Sequence, residues 1–179
     1  ACTTPGCCGK TTLWMFGNEI QRVTARKDEF HEVEDFICNT CRFDKKEGKI
    51  EFDRAAKTGK VEITLDIASI NTGTANFDKH LQSAEIFNVA AHPTAKFVST
   101  GMTFNGDKVT EVAGTLTLLG KTNPVTLKAS QFNCYNSPML KREVCGGDFE
   151  ATIDRTAYGL NYGVDWGFPK NVRLVIQVE

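Results

Sequence analysis

From residue 48 to the C-terminus, apolar and polar residues alternate with a period of two. In KVEITLDIA, Val61, Ile63, Leu65 and Ile67 fall on one side, and Glu62, Thr64 and Asp66 on the other. That is the pattern of a half-buried strand with a polar outer face. Ile50 and Phe52 continue it in GKIEFD, and Gly59-Lys60 suits a hairpin between the two runs. AKFVST reads as a further strand. Asn105-Gly106 in MTFNGDKVT is a strong short hairpin signal. Leu116 and Leu118 then keep one phase in EVAGTLTLLG, and Val125, Leu127 and Ala129 keep it in PVTLKASQF. Gly120 and Asn123-Pro124 are expected to turn the chain between them. Phe149, Ala151 and Ile153 follow, and Val172, Leu174, Ile176 and Val178 close the series.

Seven or eight short strands joined by tight turns predict an all-β sandwich or barrel. One helix interrupts them, expected from about Phe77 to Phe87, with Leu81, Ala84 and Phe87 as its apolar stripe. A single helix against an antiparallel barrel suits a lid or plug. Residues 1–47 lack a clean period. Ile20, Val23, Phe30, Val33 and Phe36 have spacings compatible with helical or irregular structure. With no internal repeat or low-complexity linker, residues 1–179 are expected to form one domain.

Composition narrows the function classes. A net charge of -1 offers no electrostatic footprint for nucleic acid or an anionic membrane. No run approaches the ~18 apolar residues of a membrane span. The chain shows no basic start followed by an apolar stretch, so an exported protein would have lost its signal peptide already. There are seven cysteines. Cys134 and Cys145 bracket a proline-containing turn, each beside strand-like sequence. Either they form a disulfide, which favours an oxidising compartment, or they are two buried thiols. An odd total leaves at least one cysteine unpaired or bonded between chains.

The motifs that invite a catalytic reading fail on context. Gly9-Lys10-Thr11 has Thr4 where a phosphate loop needs its first glycine. Cys38 and Cys41 have redox or zinc spacing, but lack both a second spaced pair and a βαβ setting. On the short helix, Asp78 and His80 lie about 200° apart, whereas His80 and Ser83 share a face. A helical serine also lacks the strained elbow that exposes a nucleophile. Capping, helix-to-barrel hydrogen bonding or contact with a ligand head group is therefore preferred for Asp78, His80 and Ser83. His31 and His92 have no nearby ligand set, so neither a metal nor a cofactor is expected.

Several stretches together resemble the YceI-like family of lipocalin-like, polyisoprenoid-binding proteins. They are GKIEFD, LDIASINTG from Leu65 to Gly73, DKHLQS with Asp78, His80, Leu81 and Ser83, and IFNV with Phe87. HPTAKFVST with Pro93 and Phe97, GTLTLLGKTNPVTL, and IDR with Asp154 and Arg155 complete the set. FNCYNSPMLKREVCGGDFEATIDR, from Phe132 to Arg155, resembles a proteobacterial branch that carries this cysteine pair. The likeness covers about three quarters of the chain, from Gly48 onward. The family's opening motifs are missing from the N-terminal region, where only Arg42-Phe43-Asp44 matches and Cys41 stands in place of a usual glycine.

The resemblance implies an extended eight-stranded antiparallel barrel with one short helix. Its elongated apolar cavity would take a long-chain isoprenoid, a quinone-like molecule or another amphiphilic lipid. It further implies a binding or carrier protein rather than an enzyme, a periplasmic location and a homodimer. The expected lining is Ile63, Leu65, Ile67, Phe97, Leu116, Leu118, Val125 and Leu127, with Leu81 and Phe87 from the helix. Asp78, His80 and Ser83 are candidates near the head group or as helix anchors. Two rivals are a lipid- or quinone-modifying enzyme using His80 as base, and a stress-related interaction protein with a packed core.

Overall fold

The computed structural model describes residues 23–26, 40–139 and 141–178. Ten strands form one antiparallel sheet: β1 (Val23–Arg26), β2 (Thr40–Phe43), β3 (Lys46–Asp53), β4 (Thr58–Asp66), β5 (Ile70–Asn71), β6 (Thr94–Asn105), β7 (Lys108–Leu118), β8 (Lys121–Ser137), β9 (Arg142–Asp154) and β10 (Asn171–Val178). Their order across the sheet is β3-β4-β6-β7-β8-β9-β10-β1-β2-β5.

β2 and β3 stand toward opposite ends of that order, yet only Asp44 and Lys45 separate them in the chain. The sheet must therefore curl until its two ends meet at this corner. There the Asp44 N–H donates to the Ser69 carbonyl at 3.1 Å, and the Asp66 N–H donates to that of Lys45 at 3.0 Å. Register shifts bend the long strands between Ser99 and Gly101, between Thr103 and Phe104, and between Ala129 and Gln131. An extra residue on one strand raises the local twist, as curling requires. The architecture is the expected lipocalin-like barrel with ten strands instead of eight. The surplus includes the four-residue β1 and the two-residue β5, too short to show a period in sequence.

Two expected turns are placed differently. The β3–β4 turn spans residues 54–57, where the Asp53 carboxylate accepts from the Ala56 N–H at 2.9 Å; Gly59 lies inside β4 opposite Phe52. The β7–β8 turn is made by Leu119 and Gly120 alone, both at positive φ. Asn123 and Pro124 belong to β8, opposite Leu116 and Thr115. Proline is tolerated there because β9 pairs with β8 only from Lys128 onward, so the start of β8 has a locally open edge. The β6–β7 hairpin at Asn105-Gly106 forms as expected, with Gly106 at φ 60°.

The helix, α1, runs from Ala75 to Gln82. It ends earlier than expected because Ser83 is extended, with ψ 166°. Ala84 is exposed, so the buried stripe consists of Phe77 and Leu81, and Phe87 arrives from the turns that follow. The core contains the inward strand residues that period two identifies, from Val61 and Ile63 through Phe97, Leu116, Leu127 and Phe149 to Ile176, together with Phe43, Ile70, Leu81, Tyr158 and Leu160, which it does not.

Candidate functional site

The inward side chains do not fill the barrel. A cavity of about 250 Å³ lies between α1 and the sheet. Phe43 of β2, Ile63 and Leu65 of β4, Ala95 and Phe97 of β6, Leu116 and Leu118 of β7, Val125 and Leu127 of β8, and Leu174 and Ile176 of β10 form its walls. Phe77 and Leu81 cover one side from the helix, with Ile86 and Phe87 from the turns beyond it. Phe43 and Phe87 meet edge to face, their ring centroids 6.3 Å apart. A second void of about 60 Å³ continues toward the other end of the barrel. Ile63, Leu127 and Ile176 are common to both linings, so the empty space is elongated and these three side chains divide it.

One wall depends on a missing side chain. A Cβ on Gly114 would lie 2.5 Å from Cζ of Phe97 and 2.5 Å from the Val98 carbonyl oxygen. The Phe97 ring thus lies directly over the β7 backbone, which keeps the ring on the wall and the lumen open.

Further lining comes from the place where the sheet parts. β8 and β9 separate ahead of Lys128, and a 3-10 turn, Arg155–Tyr158, occupies the gap. The Asp154 carboxylate starts this turn, accepting from the Thr156 N–H at 2.8 Å and from its hydroxyl at 2.6 Å. The Thr156 hydrogen bonds hold that carboxyl below its usual range. The Asn123 amide donates across the gap to the Ala157 carbonyl at 3.4 Å. Tyr158 is buried there, and desolvation raises its phenol pKa against the opposing hydrogen bond with Asn123.

Leu160, Tyr162, Phe168 and Pro169 line the cavity from the loop that follows. Gly163, at φ 73°, gives the Phe168 ring room: a Cβ there would fall 1.9 Å from the ring. Trp166, 71% exposed, stacks edge-on against both Tyr162 and Phe168. Arg155 also lines the cavity, half-buried. Its Nε donates to the Pro169 carbonyl at 2.8 Å and its Nη1 to that of Leu160 at 2.7 Å. Burial depresses its pKa, and the Asp154 charge partly opposes that shift.

All ten apolar positions expected to line the barrel line the main cavity: Ile63, Leu65, Ile67, Phe97, Leu116, Leu118, Val125 and Leu127, with Leu81 and Phe87 from the helix and the turns after it. Ile67 does so from a 3-10 turn, Ile67–Ser69, rather than from a strand. Asp78, His80 and Ser83 are not lining residues. One Asp78 carboxylate oxygen accepts from both the N–H and the hydroxyl of Thr72, each at 2.7 Å, and so ties α1 to the loop before it. The His80 ring packs between Phe77 and Tyr162, at centroid distances of 6.5 and 5.3 Å. Ser83 supplies the residue that ends the helix, and its hydroxyl has no hydrogen-bond partner. The three side chains therefore do not converge on a reacting centre.

The cavity residues that sequence reading missed include Cys41, Phe43, Ile70, Ile86, Leu160, Tyr162 and Phe168. Most come from turns or short strands, where no period marks them. Arg155 had a signal, because it stood in the IDR segment.

Cys134 and Cys145 face each other across β8 and β9 and form the disulfide. Glu143 lies close enough to complete a three-donor cluster, but both sulfurs are bonded to each other and Glu143 pairs with Arg54. Cys41 is disulfide-bonded too. Cys2, Cys7, Cys8, Cys38, His31 and Gly9-Lys10-Thr11 lie outside the described residues.

No helix among the described residues is long and apolar enough to cross a membrane. Among solved structures, the fold is similar to that of BcnA from Burkholderia cenocepacia, with a TM-score of 0.66 and 22% identity over 87% of this chain and 93% of that one. It is also similar to the Campylobacter jejuni YceI protein, with a TM-score of 0.67 and 21% identity over 85% and 88% of the two chains. A polyisoprenoid binding domain from Saccharophagus degradans shares the fold at a TM-score of 0.52 and 16% identity, over 87% and 88%.

In sequence, the UPF0312 protein of Pseudomonas paraeruginosa is 36% identical over 140 residues, which are 77% of this chain and 71% of its own length. Protein YceI of Salmonella arizonae is 36% identical over 135 residues, 74% and 69% of the two lengths. Residues 23–179 match the YceI-like domain, so the match takes in most of the N-terminal stretch that lacks a clean period, including β1 and β2. With a barrel of this topology and relatives of this similarity, the chain belongs to the YceI-like family.

Proposed function

We propose that this protein, a single barrel domain, binds and carries a long-chain isoprenoid, a quinone-like molecule or another amphiphilic lipid inside the barrel. The observation that carries the reading is the main cavity: about 250 Å³ of space walled almost entirely by apolar side chains, with a smaller void in line beyond it. At ~24 cal/mol per Å³, an empty apolar volume of this size costs about 6 kcal/mol relative to a filled core. A solid-core protein has no reason to bear that cost, whereas a lipid tail recovers it on entry. Each buried CH₂ contributes about 0.8 kcal/mol, so affinity scales with tail length until the space is full. Ile63, Leu127 and Ile176 separate the two voids, so a long tail reaches the second one by moving these side chains.

The polyisoprenoid binding domain from Saccharophagus degradans, which shares the fold, agrees with this ligand class. A binding role, rather than catalysis, suits a site where His80 is packed between rings and Asp78 is spent on the helix. A periplasmic location is part of the proposal, supported by the Cys134–Cys145 disulfide. So is a homodimer, which sedimentation of the purified protein tests.

The direct test is native mass spectrometry of the purified protein, followed by organic extraction and identification of any bound mass. A stoichiometric polyprenyl or long-chain species is expected. A ligand-free mass that stays unchanged after incubation with quinones and polyprenyl lipids would reject the carrier reading and favour the interaction protein.

A further inference from the structure

Among the described residues lining the main cavity, Arg155 is the one charged side chain. Its guanidinium is held in place by the Pro169 and Leu160 carbonyls, at 2.8 and 2.7 Å. Those bonds use two of five N–H donors. Carbonyl oxygens are dipoles and carry no opposite charge, so among the described residues Asp154 alone offsets the positive charge, and only in part. None of the ion pairs among the described residues includes Arg155. Asp154 favours the cation by its charge, but its carboxylate accepts from the Thr156 N–H and hydroxyl, which orient it to cap the turn, and makes no ion pair with Arg155. A partly buried cation beside an apolar cavity is costly unless an anion reaches it.

Its position also matters. Arg155 begins the turn that fills the gap between β8 and β9, and Leu160, Tyr162, Phe168 and Pro169 around it all line the cavity. A fixed cation on the wall of an elongated apolar lumen matches an amphiphile with one charged end. A guanidinium pre-positioned in this way suits an oxyanion, because its remaining N–H donors can meet two oxygens of a carboxylate or phosphate.

From this arrangement we infer that the ligand carries an anionic oxyanion head group, a carboxylate or a phosphate, read by Arg155 on the cavity wall. The inference deepens the lipid-binding reading and rests on it. Asp78, His80 and Ser83 then act on the helix, and Arg155 takes the head-group role.

The test is a comparison of matched tails by titration calorimetry on the whole chain. Palmitate is compared with hexadecanol, and geranylgeranyl monophosphate with geranylgeraniol. One charge-assisted contact in a desolvated site corresponds to about tenfold in Kd, so at least one anion is expected to bind about tenfold more tightly than its alcohol. The pair that shows the preference identifies the source as carboxylate or phosphate. Arg155→Gln is expected to abolish the preference of the anion over its matched alcohol, and Arg155→Lys to keep part of it.

For palmitate, the wild type supplies a check that needs no variant: the preference must disappear as the pH falls below the range in which the ligand's own carboxyl ionises. Equal binding of anions and alcohols by the wild type overturns the Arg155 assignment and leaves the lipid cavity standing. So does a preference that survives in a folded Arg155→Gln protein. Binding of none of the four probes overturns the Arg155 assignment, and if a quinone is not taken up either, the lipid-binding reading falls with it.

Discussion

Ala95→Leu separates a ligand cavity from a packed core, because the two predict opposite signs. Ala95 is 2% exposed and lines the cavity from β6, opposite Leu65. In a core packed to normal density, three added carbons force off-rotamer side chains and shift the backbone, at a cost of about 1–3 kcal/mol. Here the added carbons enter a space of about 250 Å³. At ~0.8 kcal/mol per buried CH₂, they contribute about 2.4 kcal/mol, well within the roughly 6 kcal/mol assigned to the empty volume. For a domain of this size, that raises the melting temperature by about 5–10 °C. The same atoms occupy space a lipid tail needs, so affinity falls. The assay is a thermal melt of delipidated protein, paired with a titration against a quinone or polyprenyl lipid. A rise in melting temperature with weakened binding is expected. A fall of 1–3 kcal/mol in stability with binding unchanged would refute the reasoning, because the cavity would then be neither open nor the site of the lipid.

Other substitutions test other parts of the structure. Leu116→Arg puts an unpaired charge on the apolar wall opposite Phe97; lipid uptake should be lost from the fraction that folds, and undiminished uptake by a folded variant would remove Leu116 from the lining. Gly114→Ala should lower stability and disturb the cavity, since its Cβ meets the Phe97 ring and the Val98 carbonyl; a melt superimposable on wild type would contradict that close approach. Replacing Cys134 and Cys145 together by serine opens a loop closed over a sequence separation of 11, which should cost about 2–3 kcal/mol in denaturant unfolding. Tyr158 has a raised pKa, chiefly from burial, so its contribution is intact below the unfolded value of about 10 and is lost as pH rises through the higher folded value. Alkaline melts of the wild type should therefore decline from about pH 10 more steeply than those of Tyr158→Phe.

The cavity wall was legible in the sequence because strand geometry repeats every two residues. Once Ile63 faces inward, Leu65 must as well, and the same rule carries through Leu116, Leu118, Val125 and Leu127. The short helix could be placed but not bounded, because its end is set by the extended backbone of Ser83 and not by a terminating residue type. β1 and β5, of four and two residues, are too brief for any period to mark them and exist through pairing with β10 and β2.

By itself, the sequence determined the strand class, the inward face, the Asn105-Gly106 turn and, through several stretches together, the family. Tertiary structure alone decided that the inward faces leave a space between them. Period two gives direction and not distance, so a packed core and a ligand cavity share one pattern. The difference lies in how tightly the sheet curls, which the bulges near Gly101, Phe104 and Gln131 and the Asp44–Lys45 corner set. It likewise separated the polar candidates. Asp78 turned to Thr72 and His80 went between two rings, while Arg155 came to the cavity wall through a strand end, a capped turn and two carbonyls of the loop between β9 and β10.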